Sequence, residues 1–464
     1  MTAAHDPAGW RVLPTSSTPV DSARVGALLA AEWERFTAST PGSREHNLRS
    51  SKSLPLGVTS SFQHWDPYPI SVTSARGAYV TDSDGRQLLD LSMGFGAMLV
   101  GHLNPAVVAK VTEALTSTGT LFVTPSPTAT EVAERYQKRF QVDLLRFTNS
   151  GTESLMYAVR TARAATGKKA IVKLEGGYHG GYDAMSVSVK PAVADAGPEE
   201  APTPVVPFEV EAGTVYVVPY NNLERMAEVL AEHSKDIAAV VMEPVMENIG
   251  IVLPDQGYLA GVRKLCDEHG VLLVFDEVKT GLTAGYAGAA QRVGVKPDLI
   301  TLAKSIGGGL PLAAFGGTAE VMAAVVDNRM PHFGTYNGNP LVMAAAMAVD
   351  EICTPEALEV AESVNTGALV KIDDVIKQYE LPAQTVGLGL KGAVTWSTTP
   401  VRNYRDYKRT DFQVAELAWL WGVNRGILTP PGLDEQWLVS LAHTTADMDA
   451  LVADFAEMAA AIRA

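Results

Sequence analysis

From about residue 100 the chain settles into a rhythm that few architectures can satisfy. Short, largely apolar runs (Leu144 to Phe147, Ala170 to Leu174, Ile237 to Met242, Val271 to Phe275 and Leu299 to Leu302) alternate with helical stretches such as Glu153 to Thr166 and Tyr258 to His269. Runs that are apolar at successive positions read as strands buried on both faces. In the first helix Leu155, Val159 and Ala162 share a face; in the second Leu259, Val262 and Leu265 approximate one, and Gly270 is placed to end it. The alternation predicts an α/β fold built on a mainly parallel sheet with helices on both sides. Ligands of such sheets bind beyond the strand ends, so the residues there are the ones to read for chemistry.

The flanking segments read differently. Residues 1–20 are rich in Pro, Ser and Thr and predict irregular chain, whereas Val25, Leu28, Leu29, Trp33 and Phe36 recur at helical spacing. Gly77 to Val80 and Gln87 to Leu91 predict a hairpin around an Asp82-Ser-Asp-Gly85 turn. After residue 345 helices and hairpin-like strands return, and Met448, Leu451, Val452, Phe455 and Ile462 mark a last amphipathic helix. A chain of 464 residues exceeds what one hydrophobic core serves. The expected organisation is therefore a large domain over 96–340 and a smaller α+β domain assembled from 1–95 and 341–464. The proline-rich stretch 187–220 reads as a long surface excursion near the site and a candidate lid, with no role assigned to its 191–215 part.

Composition narrows the function classes. A formal charge of −15 with scattered basic residues is not the clustered Lys/Arg footprint of a nucleic-acid binder. Cys266 and Cys353 make neither a disulfide framework nor a metal-ligand spacing, no run of 18 apolar residues offers a spanning helix, and no leader pattern opens the chain. The expectation is a cytoplasmic protein with small-molecule partners, no metal, no membrane and no nucleic acid.

Each motif that carries chemistry falls at the end of a predicted strand. Asp298-Leu-Ile-Thr-Leu-Ala-Lys304 delivers one lysine into the glycine-rich turn Ser305 to Pro311, where water is scarce, and a desolvated amine can form a Schiff base. Phe275-Asp276-Glu277-Val278 puts a carboxylate at the end of an apolar run, where it needs a partner; a turn-capping Asp is the plainer alternative. Asn149-Ser150-Gly151-Thr152 opens a helix, which suits a phosphate and equally suits an ordinary N-cap. Gly176-Gly177-Tyr178-His179-Gly180 lets backbone approach a ligand with a tyrosine free to lie on an aromatic ring, or is a flexible loop. Thr335 sits in a glycine-bounded turn, while His102 and His332 read as structural. An amine, a buried carboxylate and a phosphate cradle are together what pyridoxal phosphate needs from a protein.

Six blocks in this order then resemble the class III pyridoxal-phosphate aminotransferases: Asn149-Ser-Gly-Thr-Glu153, Gly177-Tyr-His-Gly180, Glu243-Pro-Val245, Phe275-Asp-Glu-Val278, Lys304-Ser-Ile-Gly-Gly-Gly-Leu-Pro311 and Gly334-Thr-Tyr-Asn-Gly-Asn-Pro340. The resemblance runs from about residue 55 to the C-terminus. It implies a fold type I enzyme, homodimeric with its site at the subunit interface, acting on small amines and carbonyl compounds. By the same resemblance Lys304 holds the cofactor and shuttles the proton, and Asp276 keeps the ring protonated. Tyr178 and Val278 cover the two ring faces, and Ser150, Gly151 and Thr152 hold the phosphate. Thr335 reaches the phosphate of the neighbouring subunit, and Asn248, supported by Glu243, bonds the ring hydroxyl.

Within the family, Glu243-Pro-Val-Met-Glu-Asn-Ile-Gly250, Pro400-Val-Arg-Asn-Tyr404 and Leu438-Val-Ser-Leu-Ala-His443 are most similar to the glutamate-1-semialdehyde 2,1-aminomutase branch. That branch carries a substrate-binding arginine shortly after a Gly-Val-Ser-Ser stretch. Here Gly57-Val-Thr-Ser-Ser61 is followed by Phe62-Gln63-His64-Trp65, which aligns Gln63 with the arginine. A neutral amide lacks the charge and the bidentate geometry of a guanidinium. The expected reaction is therefore transamination between separate donor and acceptor molecules, with aminomutation or racemisation/epimerisation on the same scaffold as rivals. A pyridoxal-phosphate-binding protein without catalysis is disfavoured by the presence of both Lys304 and Asp276. Gln63, Trp65 and Glu435 are the candidates for substrate contact, and the aromatic neighbours of Gln63 suggest a larger or less charged amine.

Overall fold

The computed structural model describes residues 9–14, 16–211, 213–430 and 436–464. The chain divides into two compact units, one made of 105–358 with 401–408, the other of the residues up to 104 with 359–400 and 409–464.

The first unit is built on a seven-stranded sheet: β1 (Leu144–Thr148), β2 (Ala170–Leu174), β3 (Val215–Val218), β4 (Ile237–Met242), β5 (Leu272–Asp276), β6 (Leu299–Leu302) and β7 (Ala313–Gly317). Their spatial order is β1-β7-β6-β5-β4-β2-β3, all parallel except β7, which runs antiparallel to both neighbours. β2, β4, β6 and β7 are buried at every position, as strands covered on both faces must be. Helix α1 (Gly151–Thr166) lies across β1, β4, β5, β6 and β7, and its buried Leu155, Ala158, Val159 and Ala162 join Val241, Val274, Leu299 and Phe315 in one core. Helix α2 (Tyr258–His269) ends at Gly270, whose φ of +60° suits a residue without Cβ.

Two strands escape the sequence reading. β3 lies inside the stretch read as excursion, and β7 has the sequence Ala-Ala-Phe-Gly-Gly, in which Phe315 alone favours a strand. Its glycines are there for space: a Cβ on Gly317 would lie 2.0 Å from the Asp298 carbonyl oxygen, and one on Gly316 2.7 Å from Leu145 Cβ. The unit also extends past residue 340, because the helix Pro340–Ile352, buried on most of its surface, packs against the helices Pro105–Glu113 and Pro127–Phe140. The segment 401–408 returns to this unit through the buried Arg405, whose guanidinium pairs with Glu175 at 2.7 Å.

The second unit holds two four-stranded sheets. In one, Ile427–Leu428, Gln87–Asp90, Tyr79–Asp82 and Val72–Arg76 lie in that order, and the predicted hairpin turns with Gly85 at φ +80°. In the other, Trp10–Val12 pairs with Gln384–Leu388, which overturns the irregular reading of residues 1–20 at that point; a three-residue edge strand is too short to show a period. The helix Ser22–Ser39 starts where Asp21 caps it, accepting from the Ala23 and Arg24 amides. It sends Phe36 into a core with Tyr68, Leu88, Leu420 and Val423. Among the described residues no helix is long and apolar enough to cross a membrane, and no group of His, Cys, Asp and Glu could hold a metal ion.

Candidate functional site

Strand register assembles the site. β5 and β6 pair Asp276 with Thr301, and β4 and β5 pair Met242 with Phe275, so Lys304, Asp276 and Glu243 leave three adjacent strands at one edge of the sheet. Neighbouring strands stand about 4.8 Å apart. The chain leaving β2, next in order, brings Gly176 to His179 to the same edge.

Asp276 is buried and fully engaged. Its Oδ2 lies 2.7 Å from His179 Nδ1, and its Oδ1 accepts from the Val278 amide at 3.0 Å and from Thr301 Oγ1 at 3.3 Å. His179 is also buried, and motif spacing alone does not single it out. A histidine between glycines at a strand end was the available signal. Glu243, on the next strand, is 2% exposed; its Oε2 accepts from the Glu247 amide at 2.9 Å, and burial pushes its carboxyl above the ordinary range.

Lys304 is half-buried and has φ +49°, a left-handed conformation that costs a non-glycine residue on the order of 1–2 kcal/mol. Gly308 and Gly309, at φ +57° and +90°, complete the turn behind it. Such strain collects at functional sites.

The helix start and the tyrosine loop close on one another. Ser150 caps α1, its Oγ accepting from the Glu153 amide at 3.2 Å, while the Gly151 and Thr152 amides belong to the first turn, which has no intrahelical acceptors. A Cβ on Gly180, at φ +87°, would sit 2.4 Å from Thr152 Oγ1, and the Gly181 amide donates to that oxygen at 3.2 Å. A Cβ on Gly151 would meet both Val278 methyls at 3.1 Å. Glycine at 180 lets the tyrosine loop lie directly on the start of α1, and glycine at 151 lets the turn after β5 pack closely on it. Tyr178 is half-buried, its carbonyl accepts from Asn248 Nδ2 at 3.1 Å, and burial and the nearby Asp276 push its hydroxyl up.

Three buried charged groups, none of them read from the sequence, hold the loop and the chain around it. Lys173 donates to the carbonyls of Gly177 (2.9 Å), Met185 (3.0 Å) and Val187, and burial lowers its pKa to about 7. Glu175 meets Arg405, which also donates to the Ala196 and Gly197 carbonyls at 3.0 and 3.2 Å, so the start of the 191–215 excursion is tied to the strand end.

Thr335 is exposed in its turn. The turn is anchored to the helix start by Asn149 Nδ2, which donates to Asn337 Oδ1 at 2.9 Å, and by Tyr157, whose hydroxyl donates to the Phe333 carbonyl at 3.0 Å. His332 stands edge-on to Tyr157 at 4.4 Å, and burial pushes its pKa down to about 4.

The candidates for substrate contact fare unevenly. Gln63, in the second unit, is exposed, and its Oε1 accepts from the Thr59 amide at 3.2 Å and the Thr59 hydroxyl at 2.8 Å. Trp65 is half-buried edge-on to Trp419 at 5.3 Å and packs on the core of that unit, so its indole has a packing role that spacing alone did not show. Glu435 lies outside the described residues.

Residues 61–420 match the family described as aminotransferase class-III. The chain is 38% identical, over 86% of its length and 95% of the relative, to a glutamate-1-semialdehyde 2,1-aminomutase of Methanocorpusculum labreanum. Among solved structures it is similar to a glutamate-1-semialdehyde aminomutase of Pseudomonas aeruginosa PAO1, with a TM-score of 0.88 at 26% identity over 96% of this chain and 100% of that one. It is also similar to an omega-transaminase of Sphaerobacter thermophilus, with a TM-score of 0.87 at 28% identity over 92% and 100%.

Proposed function

The chain belongs to the class III aminotransferases, and from its site we propose that it moves an amino group between separate donor and acceptor molecules. It is an enzyme that works with pyridoxal phosphate, as the family does. The observation that carries the reaction type is Gln63, which stands where the resemblance expects the carboxylate-binding arginine and whose Oε1 is already engaged by Thr59. A second reading, intramolecular aminomutation, is favoured by the name of the relative at 38% identity. An assay with glutamate 1-semialdehyde as the single substrate and no added keto acid or aldehyde separates the two. Slow turnover that an added amino acceptor accelerates supports transamination, and efficient formation of 5-aminolevulinate would establish the mutase.

The residues present fit the cofactor. The glycines at 151 and 180 bring the turn after β5 and the tyrosine loop close against the start of α1, and the first turn of α1 offers amide donors to a phosphate. Asp276 brings a carboxylate to the neighbouring strand end, with Tyr178 and Val278 on adjoining loops. When bound, pyridoxal phosphate supplies a carbonyl for amine exchange and a protonated ring that withdraws electrons. In this reading Lys304 holds the cofactor through Nζ, and that amine, once displaced, carries a proton to and from the substrate carbon. Asp276 keeps a proton on the ring nitrogen by opposing its charge, Ser150, Gly151 and Thr152 hold the phosphate, and Asn248 holds the ring hydroxyl.

The same reading includes a homodimer. Phe333 and Tyr336, 78% and 62% exposed on either side of Thr335, are large side chains that a neighbouring subunit would cover while Thr335 reaches its phosphate. Two buried, unpaired cysteines, Cys266 and Cys353, support a reducing cytoplasm.

A further inference from the structure

We propose that His179 is the positioning residue that holds Asp276 in place, aimed at the cofactor's ring nitrogen. The inference rests on the reading of Asp276 given above and deepens it. An ionised carboxylate only accepts, so the 2.7 Å contact makes Nδ1 of His179 the donor and fixes the imidazole's tautomer at that nitrogen. Asp276 then receives three donors from three different elements: the imidazole from the loop after β2, the Val278 amide from the turn after β5, and Thr301 Oγ1 from β6. Donors to the charged form of a carboxyl favour that form. The histidine is the one of the three that holds Oδ2.

The surroundings leave the imidazole little else to do. His179 is 3% exposed, and the Gly176-Gly177 backbone that carries it is pinned by Lys173. The titratable groups nearby include Asp276 on β5, Glu243 just after β4, Tyr178 on its own loop, Lys173 on β2 and Lys279 beyond β5. Burial raises the Glu243 carboxyl above the ordinary range, with His179 and Asn248 opposing the rise, while the hydrogen bond of the imidazole's Nδ1 goes to Asp276. Gly177 is held to the same purpose, since a Cβ there would press on His179 Nε2 at 3.1 Å.

The experiment compares holoenzyme carrying H179L, H179N and D276N with the parent. It reads the absorbance of the bound cofactor against pH, cofactor retention on dialysis, and kcat and KM separately. H179L is expected to move the pH profile of the absorbance and lower kcat roughly 10- to 100-fold with KM little changed. H179N, whose amide N–H can stand in for Nδ1, is expected to recover most of both. An H179L enzyme with parental profile and kcat overturns the proposal, as does H179N as impaired as H179L while both melt like the parent. Should H179L not fold, H179N decides alone: a near-parental profile and rate support the role, and a loss as deep as that of D276N removes it. If D276N itself keeps the parental profile and turnover, the reading of Asp276 fails and the role of His179 falls with it; if D276N collapses while H179L does not, only the role of His179 fails.

Discussion

The strand ends of the first unit and the turn at residues 57–65 of the second show two ways of placing a functional side chain. At the strand ends, position follows from register: once β4, β5 and β6 pair, Glu243, Asp276 and Lys304 must emerge side by side. In the turn, Gln63 and Trp65 are placed by local bonds and packing, Gln63 by Thr59 and Trp65 by Trp419. A register is robust to substitution because many backbone bonds define it, whereas a turn can exchange an arginine for a glutamine without disturbing anything beneath. In the function proposed above, cofactor chemistry falls to rigid strand ends and substrate choice to a replaceable turn, the division expected where function varies on a constant fold.

The sharpest way to break this comparison is at Lys304. Lys304→Ala should abolish turnover and the covalent cofactor absorbance while the circular dichroism of the fold persists; appreciable activity would end the reading of the strand-end cluster. Next in size is Asp276→Asn, expected to lower turnover by roughly 10³-fold, because an amide cannot oppose the ring's positive charge in a buried site. Steady-state rates with the cofactor demonstrably bound decide it. On the other side of the comparison, Gln63→Arg should restore a carboxylate clamp and raise kcat/KM for glutamate 1-semialdehyde about 10- to 150-fold, the range of one charge-assisted hydrogen bond. No gain would show that this turn does not read the substrate carboxylate.

The smallest effect expected concerns pH. In the fold His332 titrates at about 4 against 6.5 for an ordinary histidine, so the unfolded chain takes up this proton first. Its contribution to stability is complete above pH 6.5 and is lost as pH falls through 4. His332→Phe, which keeps an aromatic edge against Tyr157, should flatten the acid limb of a Tm-against-pH curve. An unchanged limb would mean that the turn carrying Thr335 is held by Asn337 without the histidine.

What the sequence could announce depended on how local each signal was. The ends of β2, β4 and β6, the cap at Asp21 and the stop at Gly270 were legible because burial on two faces, an N-cap oxygen and a left-handed glycine each leave a mark within a few residues. β7 was not, since its glycines answer to Leu145 on β1 and to Asp298 just before β6. Lys173 and Arg405 also stayed silent, because a charged residue in an apolar run or a surface-like stretch shows its purpose only when the carbonyls and carboxylate it meets are in place.

By itself the sequence determined the alternating architecture, the family, and the residue types at each strand end. Only the tertiary structure decided that Asp276 is shared among His179, Val278 and Thr301, that Trp65 belongs to a core, and that Gly151 and Gly180 are glycine because Val278 and Thr152 lie against them. Propensity and spacing act over one or two turns of chain, while all of these contacts but the Val278 amide's join residues 25 or more positions apart, where the fold as a whole sets who meets whom.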